Sequence, residues 1–476
     1  MQSRKTVFLT GATGNMGAAT LHELMSRGHF RVRALVLPSE AGHPVLRRYA
    51  GNPHFETVVG DLRNLEDVAR GVAGADQVLH IGGMVSPAAD RVPELTMEVN
   101  VGGAHNVVEA IQAQPNRDDI RLVYIGTVAQ TGHRGVPIHW GRTGDPIKIS
   151  RFDQYAVSKT RAEAIVAESG LRHWVSLRQT GIAHPGMLKI FDPIMFHATL
   201  NAVLEWVTVE DSGRLAANLC EDTVPQALWR GFYNIGGGAP MRVVNHELAA
   251  SMYAVTGIDD FRRVMEPNWF ATRNFHGQWY SDSDALQALV PFRQDTMADF
   301  LARLRAAVPW WQRLGARLAK GQVRKRIQGL ASGPGGPLYW LEHDDREHID
   351  AYFGSREQWA AIPGWDRFDL VQPSHTPTRL EHGYDETRAP QHWRLDELRQ
   401  AADFRGGACL SEAMPADAFA PARWRCSQGH VFEMSPNLYL RGGHWCPQCM
   451  LDPDSYDVVA RRNPFFAQVA LEAGRR

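Results

Sequence analysis

The chain has 476 residues, 44% of them hydrophobic and 22% charged, with 51 Lys and Arg against 52 Asp and Glu and a net charge of -1. This exceeds one ordinary core, so two or three domains are expected, and the composition excludes a disordered chain. Near-neutral charge removes any global field favouring nucleic acid, and no apolar run approaches the roughly 18 residues that cross a bilayer.

The start, MQSRKTVFLTGATG, carries no hydrophobic leader region or cleavage site, so a cytoplasmic protein is expected. Residues 6–28, TVFLTGATGNMGAATLHELMSRG, read as an apolar strand, a glycine-punctuated turn and an amphipathic helix ending near Gly28. Gly11, Gly14 and Gly17 at GxxGxxG spacing let the backbone approach a pyrophosphate at a helix N-terminus, where free N–H groups and the dipole favour anions. Further apolar strands follow in FRVRALVLP, FETVVGDL, QVLHIGG and IRLVYIGT, separated by helical or turn-rich sequence. That alternation predicts an α/β fold with a doubly wound parallel sheet. In YAVSKTRAE, Tyr155 and Lys159 stand four apart and share one face of a helix. A phenol titrates near about pH 10, and a neighbouring ammonium would bring it closer to neutrality.

The ordered motifs TGATGNMG, GDL, LHIGG, NVGGAHNVVEA, VYIGTVAQTG, YAVSK, LRQTGI, VTVEDSG and YNIGGG resemble an extended short-chain dehydrogenase/reductase over roughly residues 4–300. The resemblance implies a Rossmann-type core over about 1–180 and a smaller substrate-binding part over about 181–330. It further implies that Gly11, Thr13, Gly14, Asn15, Met16, Gly17, Gly82, Gly83 and Asn100 surround a dinucleotide, with Asp61 and Leu62 at its adenine. Tyr155 would be the general acid/base, Lys159 would hold the nicotinamide ribose and acidify the phenol, and Thr127 would hold the substrate oxygen. Two departures narrow the reaction. The acidic pair of sugar dehydratases is replaced by Val128-Ala129, and the sugar-nucleotide Asn beyond Arg178 is replaced by Gly181. Hydride transfer between NAD(P) and a carbonyl or secondary alcohol is therefore the leading reading. An epimerase working through a transient keto intermediate is the alternative, and a non-catalytic dinucleotide sensor is the reading of another class. Leu37 after the second strand is neither acidic nor basic, and Arg33, Arg47 and Arg48 could reach a 2′-phosphate, which leans toward NADP. The family also implies a homodimer through the helix after NVGG and the helix bearing the Tyr/Lys pair.

Residues 178–300 are dense in aromatics, and His184, His197, Asn201, Asn274 and His276, with Val85, are candidates to line a substrate pocket. The stretch 299–328 is helical and strongly basic, with Pro309 starting a second helix or kinking the first. It could bind a membrane surface, but the acidic segment YWLEHDDREHIDAYF that follows makes intramolecular charge pairing the expectation. GLASGPGGPLYW between them reads as a linker opening a mixed helical and turn region, 331–400.

Four of the five cysteines lie after residue 408, while Cys220 reads as a small buried hydrophobe. Cys426 and His430 at C-x3-H spacing, with Cys446 and Cys449 at C-x2-C spacing, suit one tetrahedral structural Zn2+, with Cys409 a rival ligand and His444 a weaker one. The pattern resembles zinc-ribbon and treble-clef modules and predicts a small metal-dependent unit over 401–476. Few basic residues surround it, so packing on the reductase unit is expected in preference to nucleic acid binding.

Overall fold

A computed structural model of the chain describes residues 4–189 and 191–470. Its centre is a seven-stranded parallel sheet of β1 (Lys5–Thr10), β2 (Phe30–Val36), β3 (Phe55–Val59), β4 (Gln77–His80), β5 (Arg121–Thr127), β6 (His173–Gln179) and β7 (Gly231–Ile235). The strand order is β7-β6-β5-β4-β1-β2-β3, and the sheet is parallel and doubly wound, as the alternating pattern predicts. Successive apolar residues serve opposite faces, because side chains alternate along a strand. Val7 and Leu9 enter one core and Phe8 the other; Val123 and Ile125 enter the first, Leu122 and Tyr124 the second. Both faces are thus covered, which parallel sheets require. Helices α1 (Asn15–Arg27) and α5 (Val209–Asn218) cover the first face. Helices α2 (Leu65–Val72), α3 (Gly103–Gln112) and α4 (Gln154–Ala167) cover the second. Chain order reverses between β1 and β4, which opens a crevice at the carboxyl ends of those strands.

The smaller lobe is built from short strand pairs, Ile182–Ala183 with Val207–Thr208 and Val203–Glu205 with Arg242–Val244. Cys220 is fully buried, as read from its apolar surroundings. The basic stretch forms three helices, one more than Pro309 alone would divide it into: α6 (Met297–Ala307), α7 (Trp310–Leu318) and α8 (Lys320–Ala331). Its charges pair differently from the expectation. Lys320 meets Asp259 at 2.6 Å, Arg324 meets Glu266 at 2.6 Å and Arg303 meets Asp295 at 3.0 Å, whereas Asp344 of the acidic segment pairs with Arg346 and Arg356. The expected linker is a five-residue turn, 332–336, between α8 and α9 (Pro337–Glu342). It is too tight for a flexible boundary: a Cβ on Gly336 would lie 2.3 Å from the Ala331 carbonyl oxygen, and Ala331 of α8 and Leu338 of α9 share one apolar cluster.

After α10 (Arg346–Phe353) and α11 (Leu395–Phe404) comes an antiparallel sheet of β8 (Ala408–Cys409), β9 (Ala422–Arg425) and β10 (Val431–Met434). This module does not stand apart. Trp424, Tyr439, Leu440 and Trp445 continue the same buried cluster as Trp174 of β6 and Phe232 of β7, and so cover the sheet beyond α4.

Candidate active site and metal centre

The turn after β1 is shaped for close approach. Gly11 has φ 73°, and a Cβ there would lie 2.7 Å from the Gly82 Cα; one on Gly17 would lie 2.0 Å from the Gly11 carbonyl oxygen. Gly14 caps α1 with no side-chain hydrogen bond, and the first turn holds no acidic residue, so the helix dipole there is uncompensated. Asn15 is exposed and Met16 buried. The Thr10 hydroxyl accepts from Gly82 N at 2.9 Å, tying the end of β4 to the turn. Asn100 accepts from Met84 N at 2.8 Å and donates to Met84 O and to Ser158 Oγ, so it braces the Gly82–Gly83 segment against α4 and leaves its amide no free hydrogen. At the end of β3, Arg63 donates to Asp61 and holds its carboxyl below the usual range, while Leu62 packs 3.2 Å from where a Gly103 Cβ would stand.

Arg33 corrects the sequence reading. Its guanidinium donates to Glu56 and to the carbonyls of Gly71 and Ala73 at the end of α2, so it is spent inside the fold at mid-strand. Arg47 and Arg48 are exposed. The residue that does reach the turn is Glu40, whose Oε1 accepts from Thr13 Oγ1 at 3.0 Å. It lies three positions beyond Leu37, on a short 3-10 turn, and strand-end reasoning missed it.

Thr127 ends β5 and caps the following 3-10 turn, its backbone N–H donating to Gln130 Oε1 at 3.0 Å. The Thr127 side chain lies close enough to the Tyr155 phenol to lower its pKa. Tyr155 sits in the first turn of α4, where Asp153 caps the helix through Ala156 N at 2.7 Å and Asp90 accepts from Tyr155 N at 3.2 Å. Enclosure pushes the phenol up to about 12, the neighbouring Thr127 opposes this, and the Asp153 and Asp90 carboxylates add to the rise. The expected acidification by Lys159 is therefore absent from the protein alone. Lys159 Nζ lies instead 4.4 Å from the Tyr124 ring centroid, and no described residue accepts a hydrogen bond from it. Burial depresses Lys159 to about 7 against the pull of Glu163. Burial, with a smaller contribution from the Lys159 charge, lowers His80 to about 3.

One turn beyond Lys159, Glu163 is fully buried and accepts from Arg178 at 2.7 Å, Gln130 at 2.8 Å, Ser176 at 2.6 Å and His444 at 2.7 Å. Burial alone would raise its carboxyl; Arg178 and these bonds hold it well below the carboxylate range. Sequence reasoning missed Glu163 and read its partner His444 only as a weaker metal ligand.

The pocket candidates divide. His184 borders the cradle, its Nε2 3.3 Å from Asn15 Nδ2, and His276 lies 3.6 Å from Asp153. Val85 is exposed. His197, bonded to Gly335 O and packed on Trp340 and Tyr352, is structural, which corrects its assignment to a pocket wall. Asn274 clasps Arg151 through both backbone groups, and Asn201 clasps Asp369 and Val371. Both line a cavity of about 520 Å³ shared with Arg134, Ser150 and Tyr456, which none of Thr127, Tyr155 or Lys159 lines.

In the carboxyl-terminal module, Cys426 and His430 flank the β9–β10 turn, while Cys446 and Cys449 bracket the start of the short helix Pro447–Met450. His430 Nδ1 lies 3.6, 3.5 and 3.4 Å from the sulfurs of Cys426, Cys446 and Cys449, and the Cys426 and Cys449 sulfurs are 3.8 Å apart. A tetrahedron with metal–sulfur bonds of about 2.3 Å has edges of about 3.8 Å, so these four atoms fit one zinc ion. Cys409 lies outside the cluster and His444 is committed to Glu163, which removes both rival ligands.

Residues 7–218 match the model of the NAD dependent epimerase/dehydratase family. The human 3 beta-hydroxysteroid dehydrogenase type 7 is 30% identical over 196 residues, 39% of this chain and 52% of that protein. The 3-beta-hydroxysteroid dehydrogenase of Mycolicibacterium neoaurum is 33% identical over 207 residues, 42% of this chain and 52% of that protein. The chain thus spans about half the length of these curated relatives. A crystal structure of dTDP-glucose 4,6-dehydratase from Bacillus anthracis in complex with NAD shares the fold, with a TM-score of 0.51, 15% identity and coverage of 65% of this chain and 96% of that one.

Proposed function

We propose that the protein is an NAD-dependent oxidoreductase acting on a carbonyl or secondary alcohol of a small molecule, with residues 7–218, which match the NAD dependent epimerase/dehydratase family model, as an extended short-chain dehydrogenase/reductase unit. The observation that carries this reading is the juxtaposition of the Thr127 side chain and the Tyr155 phenol, with Lys159, which makes no ion pair with a described residue, one turn further along α4. The bare glycine turn, the uncapped α1 and the orphaned Lys159 ammonium are what a dinucleotide needs: backbone clearance and donors for its pyrophosphate, and a cation for its ribose hydroxyls. When bound, that cofactor supplies the hydride exchange. Thr127 holds the substrate oxygen, and Tyr155, a phenol that keeps its proton at neutral pH, donates it to a carbonyl oxygen as reduction proceeds. In the oxidative direction the Tyr155 phenolate accepts the alcohol proton, so the hydroxyl must first give up its own, which requires added positive charge beside it.

Glu40 turns the cofactor reading from NADP to NAD, because a carboxylate bonded to the glycine turn repels a 2′-phosphate and can accept from ribose hydroxyls. Val128 and Ala129 supply no acid for eliminating water. The curated relatives named as hydroxysteroid dehydrogenases point to an apolar secondary alcohol as substrate. Zinc at the Cys426, His430, Cys446 and Cys449 cluster is structural in this reading, since four protein ligands leave no open position. A homodimer through α3 and α4 belongs to the same proposal. The test is absorbance at 340 nm with a panel of secondary alcohols, sterols included, and NAD. A net rise supports an oxidoreductase, whereas conversion with no net change means an epimerase.

A further inference from the structure

Helix α7 presents its apolar residues to solvent. Trp310 is 69% exposed, Trp311 58%, Leu314 48% and Leu318 79%. At about 100° per residue these four fall within an arc of about 100°, and Arg317 and Arg313 follow on one edge of it. The orientation is fixed by packing: a Cβ on Gly257 would lie 2.2 Å from the Arg313 carbonyl oxygen, and Ala316 packs on the cluster formed by Phe261, Ile327 and their neighbours. The helix cannot roll its tryptophans inward without losing that contact.

The segment that carries α7 is of one charge. Between Asp299 and Glu342 the sequence holds eight Lys and Arg and no acidic residue, in a chain whose net charge is -1. Lys320, Arg324 and Arg303 are paired to acids of neighbouring elements. Arg305, Arg313, Arg317, Lys325 and Arg326 make no ion pair with a described residue, and Arg326 lies over the exposed Phe191 ring at 4.3 Å. An outward Trp/Leu face bordered by unpaired cations is what a helix lying in a lipid headgroup layer requires. The rings enter the interface, and the guanidinium groups meet anionic headgroups. No described helix is long and apolar enough to span a membrane, so the contact would be peripheral.

We propose that α7 is a docking helix for the surface of an anionic phospholipid bilayer. The inference holds whether or not the oxidoreductase reading does. It is tested by co-sedimenting the full chain with vesicles of phosphatidylcholine alone and of phosphatidylcholine mixed with phosphatidylglycerol. Binding to the mixed vesicles only, weakened at about 0.5 M salt and accompanied by a blue shift of tryptophan emission, is the expected result. The Trp310→Ser, Trp311→Ser double variant should lose about tenfold or more of that binding with an unchanged melting temperature, and Arg313→Glu with Arg317→Glu should weaken it too. Wild-type protein that ignores mixed vesicles, or a tryptophan variant that binds them equally, overturns the proposal. So does a tryptophan variant whose sole defect is lost self-association, because the face would then belong to a second copy.

Discussion

His444 Nε2 lies 2.7 Å from Glu163 Oε2, so the module that carries the Cys/His cluster bonds to a carboxylate one turn from Lys159 on α4. Through Gln130, which donates to the same carboxylate and accepts from Thr127 N, this contact continues to the residue beside the Tyr155 phenol. The module is thereby part of the wall behind the candidate active site.

Removing that carboxylate leaves the buried Arg178 guanidinium without its counter-ion. Glu163→Gln should cost about 3–5 kcal/mol of stability, read as the shift of a urea unfolding midpoint. Because the folded Glu163 is held below its ordinary value of 4.5, its contribution is present above that pH and is lost as the pH falls below it. The wild type should accordingly lose stability faster than Glu163→Gln on acidification below about pH 4.5.

Metal removal should reach beyond the module. The chain should carry one zinc ion by elemental analysis, and Cys449→Ser should lose it. Since Trp424 and Trp445 share a core with Trp174 and Phe232, chelation should lower the melting temperature of the whole sheet in a single calorimetric transition. Loss of the metal with an unchanged main transition would show that the sheet does not depend on it.

Dinucleotide binding should take up a proton. Lys159, depressed to about 7, is mostly neutral at about pH 8 in the free protein. Ribose hydroxyls accepting from its ammonium would raise that value, so NADH binding should consume up to about one proton. Calorimetry in buffers of different ionisation enthalpy measures this, and Lys159→Met should abolish the uptake.

Cofactor preference should rest on Glu40. Replacing it with Gln removes the charge facing a 2′-phosphate and should shift the ratio of kcat/KM for NADP over NAD upward by about tenfold or more. An unchanged ratio would show that another residue selects the cofactor.

What the sequence revealed was local, and what it concealed was assembled from distant segments. Gly11, Gly14 and Gly17 between an alternating strand and a 3.6-period helix announce the cradle, because the turn, the close approach and the helix start all lie within ten residues. The Tyr155 and Lys159 spacing and the metal ligand pairs are likewise short-range patterns. Glu40 meets Thr13 across 27 positions and His444 meets Glu163 across 281, so no spacing rule connects them. His197 shows the opposite failure. Its chemistry suited a pocket, but Gly335 and the rings of Trp340 and Tyr352 claim it, and composition cannot reveal such partners. The periodicity of 310–318 is equally silent about which face turns outward.

The central claim is that the Tyr155 hydroxyl moves a proton beside a bound nicotinamide. The most direct measurement compares wild type with Tyr155→Phe for NAD-dependent oxidation of the best alcohol from the panel, followed at 340 nm, with NADH affinity determined in parallel. The account predicts kcat lower by about 100-fold or more with NADH affinity kept within a few-fold. Equal rates in the two proteins would contradict it.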